Sequence, residues 1–172
     1  MAVWQFKFSL VPTEGVVRHH GSLPSVLVEY RANEVGVEPR ILDESEMPNY
    51  WEGIDWREHM ISRVSQLLAP MNLLGTELLA FGEREGNKVD IWEDDIYCFI
   101  DARNVNLKLI ELLMQIGIEL HCKVVLIESG MLVDPDTSVV LDALRRSTAY
   151  DFASDPQRFL RRLASSKHKT DV

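Results

Sequence analysis

Three short apolar runs separated by turn residues constrain this chain more than any other feature: "ELLAFGER" (77–84), "KVDIWED" (88–94) and "IYCFIDAR" (96–103). Gly86-Asn87 and Asp94-Asp95 fall between them, and these residue types tolerate the left-handed backbone that tight hairpin turns require. With Asp94-Asp95 as a two-residue turn, Ile91 faces Cys98, Asp90 faces Phe99 and Lys88 faces Asp101. Alternation then sorts the hairpin into two faces. Val89, Ile91, Cys98 and Ile100 form an apolar face that must meet a helix. The opposite face carries Lys88, Asp90, Trp92, Tyr97, Phe99, Asp101 and Arg103. A Gly86-Asn87 turn places Glu83 opposite Asp90 and Phe81 opposite Trp92, and two directly opposed carboxylates repel unless a cation joins them.

The rest of the chain supplies the helices. Residues 105–120 follow Asn104, a helix-capping residue type, and carry one polar stripe of Lys108, Glu111, Gln115 and Glu119, so the spacing predicts a largely buried helix. "IDWREHMISRVSQLLAP" (54–70) predicts another, with Asp55 as cap and Pro70 as stop. "VWQFKFSLV" (3–11) alternates as a strand, "SVLVEYR" (25–31) reads as a second, and "CKVVLIES" (122–129) as a sheet-interior strand. "TEGVVRHHGSLP" reads as a loop. Asp134-Pro135 and Asp155-Pro156 each open a helix. Strands in hairpins with helices grouped between and after them predict an α+β fold. One domain spans 1–172, with a long acidic surface segment at 33–55 and a frayed tail at 165–172.

Charge narrows the partners. The formal net charge is −9, and it is unevenly spread. From Leu144 onward seven basic residues face three acids, a net +4, which leaves −13 on the first 143 residues. An acidic body repels nucleic-acid phosphates and attracts basic proteins within a Debye length of about 8 Å. No apolar run reaches the ~18 residues of a membrane span. The N-terminus lacks a basic leader followed by an apolar stretch. Two cysteines, both in apolar runs, argue against a disulfide scaffold and for a cytoplasmic setting.

Catalytic signatures are missing. There is no G-x-S-x-G, H-E-x-x-H, P-loop, G-x-G-x-x-G or C-x-x-C, and no cofactor is expected. His121, Cys122 and Cys98 fall short of the four regular ligands of a zinc site. His19-His20 beside Arg18 reads as an exposed loop pair. Acids do interleave with large aromatics, on the hairpin face and again in "DESEMPNYWEGIDWRE" (43–58). That pattern assigns Trp92, Asp90, Tyr97, Phe99, Asp101, Glu83, Trp51, Glu52 and Trp56 to a surface that grips a basic protein, with aromatic anchors and carboxylates for its Lys and Arg. The competing readings are a solvated sheet face with Trp residues stapling a loop to the core, and a metal site of Glu83, Asp90 and Asp101 serving hydrolysis. A structural or oligomeric subunit, a homodimer among them, is a further class.

"STAYDFASDPQRFLRRL", coming after "FIDARN" and a buried helix, resembles the closing pattern of small bacterial cytoplasmic proteins, some of which are assigned as immunity proteins of polymorphic toxin systems. The resemblance covers residues 77–172 and rests on spacing and residue type. It implies a non-enzymatic inhibitor that occludes a toxin domain, and it carries no binding residues over to this chain.

Overall fold

In the computed structural model, residues 2–30, 48–72 and 78–167 are described, Ser166 and Lys167 by backbone alone. The centre of the fold is β1 (Gln5–Pro12), whose alternation sends Phe6, Phe8 and Leu10 into the main core. It pairs on one side with β4 (Ile96–Asp101) and on the other with β5 (Cys122–Leu126). With β2 (Leu79–Gly82), β3 (Lys88–Ile91) and β6 (Met131–Val133), the six strands form one antiparallel sheet in the order β2-β3-β4-β1-β5-β6. An α+β architecture follows, as expected, because helices cover the sheet rather than alternate with its strands.

The helix α3 (Leu107–Glu119) lies on the apolar face, with Leu109, Ile110, Leu113, Met114 and Ile116 buried. Its four polar positions remain exposed. The cap is Asn106, whose side chain accepts from the Leu109 N–H at 3.1 Å. Asn104, the expected cap, lies in the turn before the helix, where its backbone N–H donates to the Asp101 carbonyl (3.0 Å). Beside α3 packs α2 (Arg57–Val64), through Met60 and Val64, and it is shorter than the 54–70 pattern predicted. Glu119 of α3 joins the two helices, accepting from Arg63 Nη1 (2.8 Å) and pairing with His59 (2.8 Å). After β6, α4 (Thr137–Arg146), α5 (Thr148–Ser154) and α6 (Pro156–Lys167) close the chain. Pro156 opens α6 as predicted. By contrast, α4 starts at an Asp136 cap, and Asp134 turns away to pair with Lys123.

Three expectations need correction. Residues read as a loop form α1 (Thr13–His20), ended by Gly21 in the left-handed region (φ 77°). The segment read as a second strand makes a single bridge, Val26 to Met131, and then a 3-10 turn at Val28–Tyr30. β6 is only three residues long, too short for alternation to reveal. Much of the acidic segment, 33–47, and the tail from 168 lie outside the described residues. Of the remainder, Tyr50 and Trp51 are buried.

The sheet's second face is covered by α1, the 3-10 turn and Tyr50, through Val11, Val16, Leu27, Tyr30 and Val125. Both sheet edges are occupied. Pro70 bridges Phe81, flanked by Met71 N–H to Ala80 C=O and Gly82 N–H to Ala69 C=O, each 2.8 Å. At the other edge, Leu132 N–H donates to Ser25 C=O (3.0 Å) and Leu27 N–H to Gly130 C=O (2.8 Å). Cys98 and Cys122 are buried and free. Among the described residues no helix is long and apolar enough to cross a membrane.

Candidate functional site

The β3–β4 hairpin turns over four residues, Trp92 to Asp95, so Lys88 pairs with Phe99, Val89 with Cys98 and Asp90 with Tyr97. That register is two residues from the expected one, and an even offset keeps every side chain on its expected face. The β2–β3 register is different in kind: Ala80 lies opposite Asp90 and Phe81 opposite Val89. This odd offset sends Phe81 into the core and leaves Glu83 in the loop, exposed and packed against Gly86. The expected Glu83–Asp90 opposition therefore does not form.

The acids on this face are settled by nearby cations. Asp101 is 6% exposed and takes a two-pronged contact from Arg103, Nε to Oδ1 (2.9 Å) and Nη2 to Oδ2 (2.8 Å). These hydrogen bonds hold the Asp101 carboxyl below the usual range. The Arg103 guanidinium also stacks 4.0 Å from the Trp4 ring. Asp90, equally buried, pairs with Lys88 (2.6 Å), and burial raises its carboxyl while Lys88 partly offsets the rise. The predicted Lys88–Asp101 pair is thus replaced by two pairs, each within its own strand's neighbourhood. Lys88 Nζ also sits 4.2 Å from the centre of the half-buried Phe99 ring. Among the described residues no three acids, histidines or cysteines gather as metal ligands, and Glu83, Asp90 and Asp101 do not converge.

Trp51 and Trp56 also correct the expectation of outward rings. They are 2% and 4% exposed, with ring centroids 4.4 Å apart, inside the main core. Glu52 between them is exposed. What remains outward is the hairpin tip. Trp92 is 40% exposed and is followed by exposed Glu93 and Asp94, with Tyr97 half-buried behind them.

Sequence reasoning missed the residue that holds this tip. Asp95 read as a turn residue, yet its carboxylate points inward. Oδ1 accepts from Ser9 Oγ (3.0 Å) and from the Ile96 N–H (2.7 Å), and Oδ2 accepts from the Tyr30 hydroxyl (2.9 Å). Its own carbonyl accepts from Trp92 N–H (2.9 Å), closing the turn. Burial pushes the Asp95 carboxyl up to about 6, and these hydrogen bonds, with one to Tyr97, oppose the rise. Burial also pushes up the Tyr30 and Tyr97 hydroxyls. Tyr30 stacks between Tyr97 and Tyr50, at 6.2 and 6.3 Å between centroids. The Tyr50 hydroxyl then donates to Glu29 and meets His20 Nε2 at 2.7 Å. A row of rings thus runs from the tip to His20. An Asp beside a turn carries no periodic signal, so only the tyrosines were visible in the sequence.

The arrangement is an anchored hairpin. The carboxylate ties the turn to β1 and to the 3-10 turn, while Trp92, Glu93 and Asp94 face out. No protein-family model matches this chain, and no curated protein or solved structure matches it.

Proposed function

We propose that this chain is a non-enzymatic module that binds a basic protein through the Trp92-Glu93-Asp94 tip, in the manner of an immunity-type inhibitor that occludes a toxin domain. The observation that carries the reading is an exposed Trp92 beside two exposed acids on a turn pinned from within by Asp95. Aromatic anchors dominate interface hot spots, and a turn that is already ordered loses little entropy on binding. The acidic body supplies long-range attraction for a cationic partner, which chiefly raises the association rate. The cytoplasmic setting and the inhibitor role rest on the sequence pattern of residues 77–172. Asp90 and Asp101 are engaged by Lys88 and Arg103, and Trp51 and Trp56 lie in the core, so none of the four contacts a partner at the tip, while Glu83 and Glu52 are exposed acids that a large partner would reach.

The test is calorimetric titration with the C-terminal domain of the polypeptide encoded beside this chain. Binding is expected, with Trp92→Ala weakening it by about thirtyfold or more at unchanged melting temperature. Glu93→Lys is expected to slow association and flatten its dependence on salt. Absence of binding, or an affinity indifferent to both substitutions, overturns the reading.

A further inference from the structure

Two clefts meet at Arg146, the last residue of α4. One, of about 490 Å³, lies between the β5–β6 hairpin and α4 and is lined mainly by apolar groups, among them Phe6, Leu126, Val133, Val139 and Ala143. The other, of about 570 Å³, is polar and lined by Arg145, Thr148, Tyr150 and Arg162. Arg146 and Ser147 border both. The apolar cleft leaves Met131 47% and Val139 39% exposed, an unusual concentration of open hydrophobic surface for one place.

Most polar groups at the junction already have partners. Asp142 accepts from Arg145 Nη1 at 2.9 Å, and Asp151 accepts from Arg162. Glu128, which also borders the apolar cleft, accepts from the Thr148 N–H (3.1 Å) and from the Thr148 hydroxyl. Arg146 alone of the three cleft arginines has no hydrogen bond or ion pair among the described residues. Arg146 is exposed and borders both the apolar and the polar cleft.

We propose that this junction binds a small amphipathic anion, an apolar body seated against Phe6, Val133 and Val139 with a terminal carboxylate or phosphate on Arg146. The volumes are those of small-molecule sites, and a planar guanidinium matches either anion in two-pronged fashion. The charges lining the two clefts balance, with Arg145, Arg146 and Arg162 against Glu128, Asp142 and Asp151, and screening limits the reach of the more distant acids to about 8 Å. The site is separate from the hairpin tip and stands whether or not the tip binds a protein.

Calorimetric titration of the full chain with octanoate, octyl phosphate, inorganic phosphate, octanol and octylamine tests it. Saturable binding of octanoate or octyl phosphate is expected, and the tighter of the two identifies the headgroup. Inorganic phosphate and octylamine are expected to bind at least about tenfold more weakly. Arg146→Gln, at an exposed position, is expected to weaken both amphipathic anions about tenfold while leaving octanol unchanged. Val139→Trp should block all the alkyl ligands, and Ala143→Leu provides the same block should the Trp variant fold poorly. Non-saturable uptake, equal binding of octylamine, or indifference to Arg146→Gln overturns the proposal.

Discussion

Asp95 is the residue on which pH should act. Its folded carboxyl is raised from 3.8 to about 6 by burial, so the folded chain holds that proton more tightly than the unfolded chain. The stabilisation is complete below about pH 4 and is lost as pH rises to about 6, amounting to about 2–3 kcal/mol by linkage. Asp101 runs the other way: with its carboxyl held down by Arg103, it gives stability that disappears as acid protonates it. Urea midpoints across pH 4–7 should therefore fall with rising pH in the wild type and fall much less in Asp95→Asn, where Asp90, also raised by burial, leaves a smaller slope of the same sign. A slope left undiminished by the substitution would assign the effect to another group. None of this was legible in the sequence. The hairpin faces were readable because alternation survives an even register shift, as at Asp90 and Tyr97. The inward turn of Asp95 depends on Ser9 and Tyr30, contributed from 86 and 65 positions away.

At the scale of elements, α1 shows how a glycine can mislead. Gly15 helped mark residues 13–24 as a loop, yet it lies inside the helix where the chain crosses closest to Tyr50. A Cβ placed there would come within 1.8 Å of the Tyr50 carbonyl oxygen. In an isolated helix, Gly15→Ala would be favourable by about 1 kcal/mol. Here it should destabilise by about 3 kcal/mol or more, since backbone cannot yield to a methyl group. Thermal unfolding of the variant checks this, and an unchanged or higher melting temperature would mean that α1 is not seated as described. The buried helix α3 was the easiest element to foresee, because its polar residues recur on a single stripe. Its start was harder: Asn104 and Asn106 are equally good caps, and the choice falls to the turn that Asp101 makes.

For the whole molecule, the sequence showed strands in hairpins and helices after them, and therefore the fold class. It did not show which strand is central, because β1 meets β4 and β5 across long stretches of chain that no local pattern encodes. Nor did it separate the outward tryptophan from the inward ones: Trp51, Trp56 and Trp92 all stand next to acids, and only packing distinguishes them. Acrylamide quenching should reach Trp92 far more readily than buried Trp51 and Trp56, with half-buried Trp4 between them, so Trp92→Phe is expected to remove the largest single share of the quenchable emission. The covered margins of the sheet have a consequence of their own. With Ala69–Met71 along β2 and Ser25–Leu27 along β6, the amides of the two outermost strands are engaged there, which hinders strand addition at both margins of the described sheet. Along these described margins, recognition is left to side chains rather than to open backbone.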